Sequence, residues 1–81
     1  MDLHQLRGFY EIARTRSFTR AADKLFLSQP AISLQVKALE SELGETLFDR
    51  KRREIRLTEA GEVLFKYVQQ VFDGLENARN E

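Results

Sequence analysis

The sequence predicts a mainly α-helical chain carrying one short two-stranded β segment, and three observations carry that expectation. Apolar residues recur at helical spacing in four separate stretches, a serine or threonine heads three of them, and a run of cations lies between two short β-prone segments. The chain has 81 residues, 42% hydrophobic and 10% aromatic, with a single proline. That composition suits one small core and is too apolar for a disordered tail.

Leu3, Leu6, Phe9, Tyr10 and Ala13 set a first helix over residues 2–15. Gly8 inside it is a weak helix former and implies a close neighbour on that side. Ser17 is an N-cap for a short second helix reaching Lys24 or Leu25, with Phe18, Ala21, Ala22 and Leu25 turned inward. The adjacent alanines leave room for another helix to approach. Phe26-Leu27-Ser28 forms a tight turn, and Ser28 caps a third helix whose first turn holds Pro30, where a missing N–H costs nothing.

The third helix spans 29–43 and ends at Gly44, a suitable left-handed terminator. Ile32, Val36, Leu39 and Leu43 fall within about 60° of one another on a helical wheel and form its core stripe. Opposite them lie Pro30, Leu34, Lys37 and Ser41, flanked by Gln29 and Ser33. Apart from Lys37 this outward edge is uncharged and short-chained, whereas a merely solvated helix more often carries Glu and Lys there. Leu47-Phe48-Asp49 and Ile55-Arg56-Leu57 read as two strands around a basic loop, Arg50–Glu54. Thr58 caps a fourth helix over 59–78, about 30 Å long.

Several function classes are excluded by the inventory. Cysteine is absent and His4 is the only histidine, so no disulfide, thiol nucleophile or zinc site is expected. The carboxylates form no catalytic pair; Glu40, Glu42 and Glu45 read as solvated charge, and Glu59 and Glu62 suit the positive end of the last helix. No phosphate-binding glycine loop or nucleophile elbow appears, so neither enzymatic activity nor a cofactor is expected. The apolar runs are too short for a membrane span and no secretory signal is visible. The expectation is a soluble intracellular domain without a membrane partner.

Thirteen basic side chains balance thirteen acidic ones, but the balance is segregated. Residues 1–56 carry eleven basic and eight acidic groups, residues 57–81 two and five. Helix, tight turn, helix and basic hairpin follow in the order of a winged helix-turn-helix, expected over 1–58. The third helix would enter the major groove, with Gln29, Pro30, Ser33 and Leu34 at base edges: Gln29 bidentate to adenine, Leu34 against a thymine methyl. Arg50 and Arg53 are the preferred wing contacts to phosphate or the minor groove, with Lys51 and Arg52 beside them; Arg56 instead suits an ion pair with Glu54 or Asp49. Thr19, Arg20, Ser28 and Lys37 are further phosphate candidates.

The fourth helix exposes more apolar surface than the small domain can cover. Ala60, Leu64 and Phe65 have room to pack on it, but Tyr67, Val68, Val71, Phe72 and Leu75 do not all fit. The segment 59–81 is therefore expected to be a linker and dimerisation helix, its interface drawn from Ala60, Leu64, Tyr67, Val68, Val71, Phe72, Leu75 and Ala78. A two-fold dimer would set two third helices about one DNA turn or a multiple apart, matching an interrupted inverted repeat. The competing reading is a winged-helix protein-interaction module without a DNA role, which has no reason to gather four adjacent cations.

Met1–Leu6 with Phe9, Ser17-Phe18-Thr19-Arg20-Ala21-Ala22, Leu25, and Ser28-Gln29-Pro30-Ala31-Ile32-Ser33 closely resemble the amino-terminal domain of LysR-type transcriptional regulators. Leu39-Glu40, Glu42-Leu43-Gly44, Leu47-Phe48, Arg50 and Leu57-Thr58-Glu59-Ala60-Gly61 continue the match. The resemblance implies a bacterial cytoplasmic double-stranded-DNA-binding protein, homodimeric through the linker helix and tetrameric at full length. It carries base contacts onto Gln29, Pro30, Ser33 and Leu34, and phosphate or wing contacts onto Lys37, Arg50 and Arg53. Many members have arginine where this chain has Leu34, so a guanine-reading fork is missing here. The resemblance also implies a longer carboxy-terminal domain that binds a small-molecule inducer, and this chain is expected to be the DNA-binding fragment without it.

Overall fold

The computed structural model describes residues 1–51 and 53–81. Arg52, expected in the wing, lies outside the described residues. The elements run α1 (Leu3–Thr15), α2 (Phe18–Lys24), α3 (Gln29–Leu43), β1 (Phe48–Asp49), β2 (Arg56–Leu57) and α4 (Glu59–Asn80). The strands pair antiparallel, with Phe48 opposite Leu57 and Asp49 opposite Arg56. This is the mainly α winged helix-turn-helix that the element order predicts. Each strand is one residue shorter than expected, and α4 continues two residues past 78.

The boundaries follow from side-chain caps on orphan N–H groups. Asp2 accepts from the Gln5 N–H and the Gln5 side chain accepts from the Asp2 N–H, a reciprocal capping box. Ser17, Ser28 and Thr58 accept from the N–H groups of Arg20, Ala31 and Gly61. At the other ends, Arg16 (φ 56°) closes α1 and Gly44 (φ 68°) closes α3 in the left-handed region.

Phe9 and Ile12 of α1, Ile32, Val36 and Leu39 of α3, and Leu47 and Phe48 around β1 are fully buried. Phe48 ties the hairpin to this core, its ring 5.4 Å from Phe9 and 5.9 Å from Phe18. Ala21 and Ala22 of α2 are buried as expected. Leu43 is not: it is 38% exposed, because the last turn of α3 runs past the edge of the core.

Gly8 marks a close approach between helices, since a Cβ there would lie 3.1 Å from Gln35 Oε1 and 3.3 Å from Ile32 Cγ1. Gly61 is more restrictive. A Cβ on it would overlap the Leu47 carbonyl, so only glycine lets the first turn of α4 lie against the chain entering β1.

Two expected dimer residues belong to the chain's own core. Val68 and Phe72 are 2% and 6% exposed. Phe72 packs 5.1 Å from Tyr10 with the Arg7 guanidinium 3.9 Å above its ring, and Phe65 stacks on Tyr10 at 5.6 Å. The reason is that Tyr10 and Arg7 extend the α1 surface along α4, so one of its two apolar stripes is covered within the chain. Beside them Glu11 is buried, its carboxylate facing Arg14 at 3.2 Å, Lys24 at 3.5 Å and Arg7 at 3.9 Å. This acidic hub ties α1 to the end of α2. Among the described residues, no helix is long and apolar enough to cross a membrane.

Candidate nucleic-acid interface

The outward edge of α3 is presented as the helical phase requires. With Ile32, Val36 and Leu39 locked inward, Gln29, Pro30, Leu34 and Lys37 are exposed and Ser33 is half-buried. Gln29 Nε2 donates to Ser33 Oγ at 3.2 Å, so two expected base contacts are held together one turn apart. Leu34 is 68% exposed and does not pack on the core, so its side chain is accessible from the outward edge of α3. Ser28 Oγ is engaged as the cap of α3 but keeps its O–H as a donor.

Thr19 and Arg20 are exposed in the first turn of α2, and Lys51 and Arg53 are exposed in the hairpin. Among the described residues, no ion pair engages Arg20, Lys37, Lys51 or Arg53. Arg56 stands opposite Asp49 in the strand register but forms no ion pair with it or with Glu54 among the described residues.

Arg50 is different. Its guanidinium lies 4.7 Å over the Phe18 ring and 3.8 Å from Glu40 Oε1. Glu40 Oε2 accepts the Leu47 N–H at 2.8 Å, which corrects the reading of Glu40 as solvated charge: the chain re-enters the hairpin close to the α3 flank and presents an N–H to it. These contacts bring the start of α2, the last turn of α3 and the root of the wing to one point. The expected DNA-contacting residues are thus carried by three elements that touch each other.

Phe26 carries no role in the sequence reading beyond its place in the turn. It is 96% exposed and adopts φ 58°, a left-handed conformation unusual for an aromatic residue. The signal available was its position between two inward leucines, Leu25 and Leu27, at a two-helix corner. The structural role of Glu40, read from the sequence as solvated charge, had no signal either, since a hydrogen bond seven residues along the chain has no periodic signature.

The second stripe of α4 remains open. Val63, Tyr67, Val71 and Leu75 are 57, 58, 43 and 48% exposed, and Ala78 is exposed at the far end. Ala60 and Leu64 are half-buried against the core and, with Leu43, Leu47, Val63 and Tyr67, line a groove of about 530 Å³. Val63 was missing from the expected stripe.

A family model described as the bacterial regulatory helix-turn-helix protein, lysR family, matches residues 3–62. This chain belongs to the lysR family. Its curated relatives include the HTH-type transcriptional regulator HdfR of Shigella boydii serotype 18, 46% identical over 81 residues, all of this chain and 29% of that protein. The chain thus spans under a third of the length of the curated lysR-family relatives it matches. Among solved structures it is similar to the BenM_DBD/catB site 1 DNA complex, with a TM-score of 0.91 and 35% identity over 99% of this chain and 89% of that one. Full-length OxyR from Pseudomonas aeruginosa gives a TM-score of 0.87 and 38% identity over 99% of this chain and 27% of that one.

Proposed function

We propose that this lysR-family chain binds double-stranded DNA sequence-specifically, as the DNA-binding part of a bacterial transcription regulator. The observation that carries the reading is the exposed edge of α3, uncharged apart from Lys37, together with Arg20, Lys37, Lys51 and Arg53, which no acidic group among the described residues neutralises. Similarity to a structure solved as a DNA complex supports it. In this reading α3 lies in the major groove, where Gln29 and Ser33 meet base edges, Pro30 packs at the helix start and Leu34 meets a thymine methyl. Lys37, Thr19, Arg20 and Ser28 face phosphates, and Lys51 and Arg53, with Arg52 beside them, hold the backbone or minor groove from the wing.

The open stripe of α4 is the dimer surface: Ala60, Leu64, Tyr67, Val71, Leu75 and Ala78, joined by Val63. Residues 1–58 then form the reading head and 59–81 the dimerising linker, although Val68 and Phe72 anchor that linker to its own head. The whole regulator is proposed to be a cytoplasmic tetramer whose response to a small-molecule inducer resides outside this chain.

The test is selection of bound duplexes from a random pool. An interrupted inverted repeat is expected to be enriched, and Gln29→Ala to relax preference at one base per half-site by about 1–3 kcal/mol. Recovery of unrelated duplexes with equal affinity would refute the sequence-specific reading.

A further inference from the structure

We infer that Arg50 is a positioning residue rather than a phosphate contact, and that with Glu40 and Phe18 it forms a latch fixing the wing against the recognition helix. The inference rests on the DNA-binding reading above and deepens it.

Three contacts converge on this latch. Glu40, on the flank of α3, uses one carboxylate oxygen for the Leu47 N–H at 2.8 Å and turns the other toward Arg50 at 3.8 Å. The Arg50 guanidinium lies 4.7 Å over Phe18, the first residue of α2. Phe18 in turn packs edge-on against Phe48 of β1, the strand that leads into Arg50. The two-residue strands supply little rigidity of their own, so these side chains add to the buried Leu47 and Phe48 in fixing the angle of the hairpin relative to α3. Arginine suits the role because its flat guanidinium stacks on an aromatic face while its edge meets a carboxylate. Its neighbours Lys51 and Arg53 have no such partners among the described residues and are free to face an anion. The wing therefore divides its described cations, Arg50 holding the hairpin in place and Lys51 and Arg53 reaching outward.

The sign of one substitution separates the two roles. If Arg50 were a phosphate contact restrained by Glu40, Glu40→Gln would remove a negative charge and release the arginine, raising DNA affinity. The latch gives the opposite result. Binding of the 81-residue chain to a fixed mixed-sequence duplex is to be measured under conditions where each variant is folded, judged by its circular-dichroism melt. Glu40→Gln, Glu40→Ala and Arg50→Gln are each expected to lower affinity, by about threefold to tenfold for the last two. Adding Arg50→Gln to Glu40→Ala is expected to cost little more, because both break one unit. Tighter binding by Glu40→Gln, or full additivity, would overturn the proposal.

A second measurement needs no DNA. Residual dipolar couplings of the amides at 48, 49, 56 and 57, referred to those of α3, are expected to change in Glu40→Ala; unchanged couplings would also overturn it. Failure of the unmodified chain to bind any duplex would instead count against the DNA-binding reading, while the couplings would still decide the latch.

Discussion

The cations of α1 and those of the wing make an instructive contrast. Arg7 and Arg14, with Lys24 from α2, surround the buried Glu11, and two of them also cover aromatic rings, Arg7 over Phe72 and Arg14 over Tyr10. Lys51 and Arg53 have no ion partner among the described residues. Both groups enter the zero net charge equally, yet one holds the fold together and the other is available to a polyanion. Formal charge therefore says little about nucleic-acid binding until each cation is traced to its partner.

That contrast can be tested from either side. The largest expected effect is on the structural group: Glu11→Ala leaves three cations without their shared partner and removes the tie between α1 and α2. Because those cations are about half exposed, the loss is expected to be about 2 kcal/mol, below the range for a fully buried pair. Denaturant melts measure it, and the folded fraction should bind DNA with unchanged affinity. A variant of undiminished stability would remove the distinction between the two groups.

Opposite behaviour is expected from the wing. Arg53→Ala should leave stability within about 0.5 kcal/mol while reducing the slope of log affinity against log salt by about 0.9. A fall in stability with an unchanged salt slope would place Arg53 with the structural cations.

The two stripes of α4 extend the contrast to apolar residues. Val71→Glu combined with Leu75→Glu is expected to produce monomers by sedimentation without unfolding the chain, since both side chains are substantially exposed. An unchanged mass would refute the interface. The smallest effect is expected at the corner between α2 and α3. Phe26→Asn, which tolerates the left-handed backbone, should raise stability by up to about 1 kcal/mol in thermal melts.

Local chemistry made most of the fold legible. Ser17, Ser28 and Thr58 marked three helix starts and Gly44 one helix end, because a cap acts within a few residues of itself. The core face of α3 followed from periodicity, except at Leu43, where the helix outruns what it packs on. What stayed hidden depends on partners distant in sequence. A helical wheel shows that α4 has two apolar stripes, but only the placement of Tyr10 and Arg7 decides that Val68 and Phe72 face inward. In the candidate site, the outer residues of α3 were read from the absence of charge. The arrest of Arg50 by Glu40 and Phe18 joins three elements and leaves no pattern along the chain. Glu11 did leave a trace, since Arg7 and Arg14 stand four residues before it and three after it on one helix.

The most direct test of the DNA-binding account is the salt dependence of the chain's affinity for the duplex enriched from the random pool. The account predicts a steep fall, with a slope near −0.9 for each phosphate met by Arg20, Lys37, Lys51 and Arg53. A slope indistinguishable from zero would contradict it.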